Sequence, residues 1–279
     1  LLDRTDMIRI NSSHNSIKWH KSTIKKIKKI NPKSIILIDF PGVKPRTNNK
    51  NPITIKKNQI VSFRYGAKNL VDDILLTRPL PKNIKAKIFS IDDGKFYFKL
   101  ISKNINSLKG KALQNCIIKP KKGLNIPNSI YDDNLQEQIY TKYFNLFSKT
   151  KIDAVGLSFV QNKKIIEKIK KRYPELNLVS KVENSEGLKN VEEISKSSDA
   201  IMIDRGDLSA EIGNDKLYDA INKISKICKK YGRPLIMATE NLESLHNQNI
   251  PSKNDIISLG HSMEVNSDII MLSEETAIS

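Results

Sequence analysis

The chain has 279 residues, 38% of them hydrophobic, which is long enough for a full α/β barrel or for a barrel with a smaller insertion. Its formal net charge of +18 comes mainly from lysines spread along the chain, without RNP-type aromatic patterns or zinc-finger spacing, so it predicts a solvated basic surface and no specific nucleic-acid partner. Two cysteines outside any CxxC pair, and apolar runs shorter than the roughly 20 residues that cross a bilayer, predict a cytoplasmic protein with no membrane partner.

Short β-branched apolar runs recur along the chain, and most are followed by a lysine-rich segment with helical spacing. This alternation is typical of repeated βα units, which build a parallel sheet. The spacing predicts helices at residues 163–171 and 217–230, the second of which ends before Gly232. The predicted strands are residues 8–11, 34–39, 154–159, 178–183, 200–205, 234–239 and 268–273.

The segment after the second predicted strand has a different pattern. Residues 53–55 and 95–98 alternate apolar and polar side chains, and Asp92, Asp93 and Gly94 form a turn signal just before the latter. This pattern indicates an antiparallel β module. The sequence therefore predicts an α/β fold in which such a module interrupts the βα series.

Polar residues stand at or just past the end of every predicted strand. In parallel α/β barrels the reacting groups sit at these carboxyl ends, where the βα loops converge. We interpret Ser158 and Ser273 as structural, and the set as a whole as a candidate site. The set comprises Asn11, Ser12, Ser13, His14, Asp39, Ser158, Lys181, Glu183, Arg205, Gly206, Asp207, Thr239 and Ser273.

Lys181 and Glu183 lie two residues apart on one predicted strand, so both side chains point to the same side. A lone Lys-x-Glu is usually a surface ion pair, but Asp207 follows the next strand and is expected to share one Mg²⁺ or Mn²⁺ ion with Glu183. The turn at Gly206 offers backbone N–H groups to an anion, and Thr239 adds a hydroxyl donor. Together these residues favour phosphoryl or enolate chemistry.

Several segments match sequence patterns that occur together in one enzyme family. Residues 9–14 match R-L/I-N-F-S-H, with Ser12 in place of Phe, and residues 39–47 are similar to D-x-x-G-P-K/E-I/V-R-T. Residues 180–187 match S-K-I-E-N-x-E-G, and residues 199–208 match D-G-I-M-V-A-R-G-D-L. Residues 92–94, 121–127 and 271–277 add further matches. In this order, and over nearly the whole chain, the segments resemble the pyruvate kinase family.

The resemblance implies a TIM-type (β/α)8 barrel formed by residues 1–48 and 126–279. A small antiparallel β-barrel is expected as a lid at residues 49–125. Seven of the eight barrel strands are expected in this chain, with the family's first strand and C-terminal regulatory domain outside it. The full-length family member is expected to be a homo-oligomer.

The resemblance also implies transfer of a phosphoryl group from phosphoenolpyruvate to ADP, which gives pyruvate and ATP in the last step of glycolysis. Lys181 is expected to stabilise both the moving phosphoryl group and the enolate. The implied catalytic residues are Lys181, Arg9 and Thr239; the substrate-binding residues are Arg9, Lys181, Gly206, Asp207 and Thr239; the nucleotide-binding residues are Arg46 and Lys122; and the Mg²⁺ or Mn²⁺ ligands are Glu183 and Asp207.

The family's monovalent-cation site maps to Asn11, Ser13, Asp39 and the backbone of Phe40. Members that need potassium resemble each other in having Glu where this chain has Lys44. Members that do not need it have Lys, whose ammonium can stand in for the ion. The resemblance therefore implies that K⁺ is dispensable here.

Some positions depart from the family pattern, which keeps other functions open. Glu240, Asn241, Ser209 and Glu274 replace Gln, Met, Gly and Gly near the mouth of the barrel. One alternative is a catalytically weakened or regulatory relative that binds phosphoenolpyruvate or nucleotide. Others are a metal-dependent lyase or aldolase, which the inserted module disfavours, and a charge-driven nucleic-acid binder, whose binding is expected to vanish near physiological ionic strength.

Overall fold

The computed structural model describes residues 5–66 and 73–277. The strands are, in chain order, β1 (Met7–Asn11), β2 (Ile35–Phe40), β3 (Ile53–Ile55), β4 (Ile60–Tyr65), β5 (Asp73–Leu76), β6 (Ile88–Ile91), β7 (Phe96–Asn104), β8 (Ser107–Ala112), β9 (Cys116–Ile118), β10 (Leu124–Asn125), β11 (Ala154–Leu157), β12 (Asn177–Val182), β13 (Ala200–Asp204), β14 (Leu235–Ala238) and β15 (Ile269–Met271). The helices are α1 (Ile17–Ile30), α2 (Asp133–Phe147), α3 (Lys163–Arg172), α4 (Ser185–Lys189), α5 (Val191–Ser197), α6 (Arg205–Ile212), α7 (Leu217–Lys230), α8 (Lys253–Glu264) and α9 (Glu274–Ala277).

Seven parallel strands form one curled sheet in the order β1-β2-β11-β12-β13-β14-β15. Each strand pairs in parallel with the one before it along this sheet, and helices connect successive strands. All seven predicted strands are present, with bounds that differ by one or two residues. The predicted α/β barrel class, with an inserted module, is therefore confirmed.

The pleat of these strands sends alternate side chains to opposite faces of the sheet. On β2, Ile36, Ile38 and Phe40 join the large apolar cluster that packs against the helices. Leu37 lies between them and joins a second cluster, with Met202 of β13, on the opposite face. Both faces are thus apolar along the strands. The polar side chains of the candidate site lie instead at the ends of the strands.

The inserted module begins after β2 and ends with β10. Its six-stranded sheet has the order β10-β6-β7-β8-β4-β5, and β3 pairs separately with β9. The pairs are antiparallel as predicted, except that β4 and β5 are parallel. Phe63, Phe89 and Phe98 form its core, with ring centroids 5.3–5.4 Å apart. A Cβ at Gly110 would lie 2.5 Å from the Phe89 ring, so this packing requires glycine there.

None of the helices in the described ranges has the length and apolar character that crossing a bilayer requires. The helix ends instead have polar caps. Asp132 accepts hydrogen bonds from the first turn of α2, and Ser252 and Asp255 form a capping box at α8. These caps determine the residue at which each of the two helices begins.

Candidate active site

Lys181 lies at the centre of the polar cluster at the carboxyl edge of the seven-stranded sheet. Its Nζ atom is 2.6 Å from Oε1 of Glu183, 3.2 Å from Oδ2 of Asp39 and 3.3 Å from Oδ2 of Asp204. Burial disfavours the ammonium, but these three carboxylates outweigh it and raise the pKa of Lys181 above its ordinary value. Lys181 is therefore a fixed positive charge in a nearly dry site.

Asp39, the penultimate residue of β2, joins the neighbouring strands at this edge. Its Oδ2 atom accepts hydrogen bonds from Arg9 Nη2 at 2.6 Å and Nε at 2.9 Å, and Ser158 Oγ donates to its Oδ1 at 3.0 Å. Burial alone would raise the pKa of Asp39, but Lys181 and Arg9 lower it. Ser158, which the sequence placed among structural residues, thus lies within the cluster, and Asp39 holds Arg9 beside Lys181.

Three carboxylates converge next to Lys181. One oxygen atom from each of Glu183, Asp204 and Asp207 can be chosen so that all three lie within 4.8 Å of one another. The sequence predicted Glu183 and Asp207 but missed Asp204. Its signal was its place at the end of a predicted strand, one residue before Arg205. Clustered carboxylate oxygens are the donors that Mg²⁺ and Mn²⁺ prefer, so these residues fit a divalent cation.

Glu183 is held in place from two sides. Its Oε1 atom faces Lys181, and its Oε2 atom accepts a hydrogen bond from the backbone N–H of Phe159 at 2.6 Å. Burial raises the pKa of Glu183 to about 8, with Asp204 and Asp207 adding to the rise and Lys181 opposing it. Phe159 has a φ of 62°, a conformation uncommon for a bulky residue, and this turn aims its N–H at the carboxylate.

Gly206 and Thr239 meet at the ends of β13 and β14, as the sequence predicted. The Gly206 N–H donates to Oγ1 of Thr239 at 3.2 Å, and this hydroxyl donates to the Ala238 carbonyl at 2.7 Å. Thr239 and Glu240 both have positive φ, 62° and 54°. This pair of left-handed residues turns the chain sharply and brings the Thr239 hydroxyl over the first turn of α6.

Arg205 anchors the loop that carries Thr239. Its guanidinium donates to the Thr239 carbonyl, to Oδ1 of Asn241 at 2.9 Å and to Oγ of Ser258 at 2.7 Å. Asn241 is fully buried, and its amide donates to the carbonyls of Met237 and Met271. The sequence noted Asn241 only as a departure from the family pattern. In the structure it fastens β14 to β15 beneath the site.

Comparison with known proteins agrees with this geometry. The family model for the pyruvate kinase barrel domain matches residues 3–279. The pyruvate kinase of Borreliella burgdorferi is 31% identical over 98% of this chain and 59% of its own length. Those of Thermotoga maritima and Buchnera aphidicola are 28% and 30% identical, over 98% and 99% of this chain and 61% of each relative. The chain belongs to the pyruvate kinase family. It spans about six tenths of the length of these relatives.

Lys44 is the residue for which the pyruvate kinase resemblance predicted a stand-in for potassium. Its ammonium contacts Oδ1 of Asp93 at 2.9 Å, in the inserted module, and also Oδ1 of Asp207. Burial disfavours this ammonium, but Asp207 and Asp93 outweigh it and raise the pKa of Lys44. The cations that contact Asp39 are instead Arg9 and Lys181. The structure therefore places the Lys44 charge on Asp207 and Asp93 and not on Asp39.

The other residues of the expected potassium site have local roles in the structure. The Ser13 N–H donates to Oδ1 of Asn11 at 3.0 Å, and Ser12 Oγ donates to the Asp39 carbonyl at 2.6 Å. The Phe40 ring is buried against α2, which leaves its backbone at the sheet edge. Asn11 and Asp39 pair in register at the edge formed by β1 and β2, and Ser13 follows the end of β1.

Arg46 and Lys122, the expected nucleotide-binding residues of the pyruvate kinase pattern, lie on the two segments that connect the barrel to the module. Arg46 pairs with Gly123 in an antiparallel bridge and donates from Nη1 to the Lys121 carbonyl at 3.1 Å. Lys122 Nζ lies 2.6 Å from Oδ1 of Asp92. These contacts place the two residues on paired antiparallel segments outside the named strands.

Two departures from the pyruvate kinase pattern have a structural explanation. Ser209 replaces a glycine, and its hydroxyl donates to the Gly206 carbonyl at 3.1 Å, which stabilises the first turn of α6. Asn241 replaces a methionine and satisfies the buried Arg205. Glu240 is exposed, and desolvation by the groups around its carboxyl raises its pKa. Glu274 begins α9, and its side chain lies outside the described part of the structure.

A second buried carboxyl, Glu211, lies where the module joins α6. Its Oε1 atom accepts from the Ile126 N–H at 3.1 Å and from the Asn125 amide at 3.5 Å. Among the described residues, its Oε2 atom has no hydrogen-bond partner, nor does Oδ1 of Asn125 or the Tyr131 hydroxyl. Burial raises the pKa of Glu211 from 4.5 to about 7. The family resemblance did not single out this group.

Glu211 is expected to make the protein less stable as pH rises. Because its pKa is higher in the folded than in the unfolded state, stability falls as pH rises from about 4.5 to about 7. The full difference is about 3 kcal/mol. Glu211→Gln is expected to raise the unfolding free energy at pH 8 but not at pH 4.5. Urea unfolding at both pH values, with the exposed Glu175→Gln as control, measures this; equal effects of Glu211→Gln at both pH values would contradict it.

Proposed function

We propose that this chain catalyses phosphoryl transfer from phosphoenolpyruvate to ADP, giving pyruvate and ATP. The observation that carries the proposal is the cluster at Lys181, in which the buried ammonium contacts Glu183 and Asp204, two of the three carboxylates whose oxygens lie within 4.8 Å of one another. Enzymes catalyse phosphoryl transfer mainly by positioning and by neutralising charge on the transferred group. A fixed cation beside a divalent-cation site meets both needs.

Glu183 and Asp207 are the proposed ligands of Mg²⁺ or Mn²⁺. Both carboxylates lie at the rim, and Glu183 is oriented by the Phe159 N–H. When bound, the cation neutralises negative charge on the phosphoryl oxygens. Lys181 stays next to Glu183 and supplies a second positive charge, which stabilises the enolate that remains when the bond between phosphorus and the enol oxygen breaks.

The substrate is proposed to bind between two groups of donors. The backbone N–H groups at Gly206 and Asp207 lie in the first turn of α6, where an anion is favoured. The Gly206 N–H, which here donates to Thr239 Oγ1, and the Thr239 hydroxyl, which here donates to the Ala238 carbonyl, would turn to the substrate carboxylate. Arg9 and Lys181 suit the phosphoryl group, because both cations are already held at Asp39. The transferred phosphorus forms its new bond to a terminal phosphate oxygen of ADP, and the enolate takes a proton at carbon to give pyruvate.

The nucleotide is proposed to bind Arg46 and Lys122. We assign residues 49–125 as a lid and residues 1–48 and 126–279 as the catalytic barrel. The antiparallel bridge between Arg46 and Gly123 supports this division, because the chain leaves the seven-stranded sheet for the module at the first residue and returns near the second. Lid closure would bring Lys122 towards the phosphates of ADP and exclude water from the reacting groups.

Potassium is proposed to be dispensable. The support is the resemblance to potassium-independent members at Lys44, whose buried ammonium contacts Asp207 and Asp93 and not Asp39. We expect the same rate of pyruvate formation in K⁺ as in tetramethylammonium. Lys44→Glu is expected to lower the rate and to make the remainder rise with K⁺, because the substitution removes the ammonium and adds a carboxylate beside Asp207. A wild-type rate that rises steeply with K⁺ would overturn this proposal.

The kinase proposal is tested by measuring pyruvate formation from phosphoenolpyruvate and ADP with Mg²⁺. We expect turnover that stops when the divalent cation is chelated and returns when it is added back. Omitting ADP provides the control for simple hydrolysis of phosphoenolpyruvate. A folded sample that binds Mg²⁺ and both substrates but forms no pyruvate would contradict the proposal.

That last outcome corresponds to a second candidate function, a relative that binds phosphoenolpyruvate without turning it over. One observation favours it: a Cβ placed on Gly206 would lie 3.9 Å from Oδ1 of Asp204, so a negative charge stands next to the proposed carboxylate site. Calorimetric titration with phosphoenolpyruvate, in parallel with the turnover assay, separates binding from catalysis.

The chain is proposed to be cytoplasmic. A cytosolic pyruvate kinase isozyme of Nicotiana tabacum is 28% identical over 98% of this chain. This similarity supports the expected cytoplasmic location. Homo-oligomer formation is proposed for the full-length protein, as for the family, and gel filtration with light scattering measures it.

A further inference from the structure

Asp204 adds a carboxylate where the matching family pattern has none. It is the last residue of β13 and is 9% exposed. In the pattern D-G-I-M-V-A-R-G-D-L, which residues 199–208 resemble, alanine occupies this position. The Asp204 side chain therefore belongs to this chain and not to the family pattern, and its effect on the site has to be derived from its contacts.

Those contacts place Asp204 among the proposed cation ligands. Its Oδ2 atom lies 3.3 Å from Nζ of Lys181, the same ammonium that is 2.6 Å from Oε1 of Glu183. An oxygen of Asp204 also lies within 4.8 Å of oxygens of Glu183 and Asp207. A single ion can therefore reach one oxygen atom from each of the three carboxylates.

The cationic side chains do not balance these carboxylates. Lys181 is shared among Asp39, Glu183 and Asp204. Lys44 is likewise shared between two aspartates, one of them Asp207. Arg9 adds a third cation at Asp39, so within the described residues five carboxylates face the three cationic side chains that contact them. Buried carboxylates that lack a full counter-charge are unfavourable, and a divalent cation between them removes the excess.

We propose that Asp204 is a third carboxylate ligand of the divalent cation, with Glu183 and Asp207, and that this chain binds the cation without its phosphorylated substrate. Cation affinity rises with the number of charged ligands, so a third carboxylate favours binding to the protein alone. The inference rests on the proposed function for the identity of the cation, Mg²⁺ or Mn²⁺.

The position of Asp204 also affects how the substrate binds. Because Oδ1 of Asp204 lies next to Gly206, it repels an anion at the α6 turn until the cation is in place. The cation is then the first ligand to bind and phosphoenolpyruvate the second. Without the cation, Asp204→Ala is expected to bind phosphoenolpyruvate more tightly than the wild type does.

The test is Mn²⁺ titration of the chain without substrate, with free Mn²⁺ measured by electron paramagnetic resonance. We expect Asp204→Ala to raise the Mn²⁺ dissociation constant by about tenfold or more, with a smaller effect for Asp204→Asn, which keeps one oxygen ligand. Glu240→Gln is the matched control, because it removes one carboxylate charge from the same rim outside the cluster. Its dissociation constant is expected to stay near the wild-type value. Circular dichroism verifies that each variant is folded.

Three outcomes overturn the inference. They are wild-type-like Mn²⁺ binding by Asp204→Ala, an equal loss in Glu240→Gln, and no Mn²⁺ binding by the wild type. The result is separable from the kinase proposal because it requires no turnover. Failure of pyruvate formation together with the expected Mn²⁺ pattern would reject the kinase and leave the third ligand standing. Turnover together with unchanged Mn²⁺ binding by Asp204→Ala would support the kinase and reject Asp204 as a third ligand.

Discussion

Lys181→Met is expected to lower kcat for pyruvate formation by about 10³-fold, at the upper end of what loss of one preorganised stabilising group costs. The Lys181 ammonium is fixed by Glu183, Asp39 and Asp204, so no reorganisation is needed when charge develops on the enolate and the phosphoryl oxygens. Methionine fills a similar volume but has no charge. Steady-state kinetics over a range of phosphoenolpyruvate concentrations measures the loss.

The same substitution leaves three carboxylates without their shared cation. Removing one partner of a buried ion pair typically costs about 3–5 kcal/mol, so the assay requires a sample verified as folded. Added Mn²⁺ is expected to restore part of that stability. Lys168→Met, at an exposed lysine on α3, is the control and is expected to keep the wild-type rate. If Lys181→Met retains more than a tenth of the wild-type kcat, the role assigned to Lys181 is wrong.

Glu183→Gln is expected to lower kcat by about 10²-fold or more and to weaken Mn²⁺ binding about tenfold or more. The glutamine side chain has the same shape and keeps an acceptor for the Phe159 N–H, so the substitution tests the charge of Glu183 and not its packing. Turnover at saturating Mg²⁺ and Mn²⁺ titration measure the two effects separately.

Glu211→Gln is the matched control for that experiment. Glu211 is also a buried carboxyl with a raised pKa, but it lies at the junction with the module and not among the three clustered carboxylates. Its substitution is expected to leave kcat within about twofold of the wild type, because it contacts neither the substrates nor the cation in the proposed function. Equal losses of turnover in the two variants would mean that buried charge in general, and not cation binding at Glu183, sustains the rate.

The sequence predicted the barrel strands well because both faces of the sheet are apolar. A strand that is buried on both sides appears as a short β-branched run, and such runs are easy to locate between lysine-rich helices. The regular alternation of strands and helices also allowed Lys181, Glu183 and Asp207 to be predicted as neighbours, because the carboxyl ends of parallel strands share one edge of the sheet. Strand ends were predicted only to within two residues, because pairing there stops gradually.

The remaining features depend on contacts between distant segments. Asp204 was missed because it is the penultimate residue of a predicted strand, and the motif Arg205-Gly206-Asp207 directly after it drew the interpretation instead. The parallel pairing of β4 with β5 was missed because alternation specifies a strand but not its partner. Lys44 was expected near Asp39, yet it faces Asp93 and Asp207. Both partners lie far from Lys44 along the sequence, so its pairing depends on how the module and α6 pack against it.

The shared ammonium of Lys44 has a thermodynamic consequence. It joins Asp93, in a turn of the module, to Asp207, a proposed cation ligand. Suppose that a cation at Asp207 changes the ion pair between Asp207 and Lys44. The free energy of the contact between Lys44 and the module's turn at Asp93 then changes by the same amount. Linkage makes this effect reciprocal. Cation affinity then reports on module position, so Asp93→Asn, on the module side of the pair, would change the Mn²⁺ dissociation constant although Asp93 is not itself a proposed ligand.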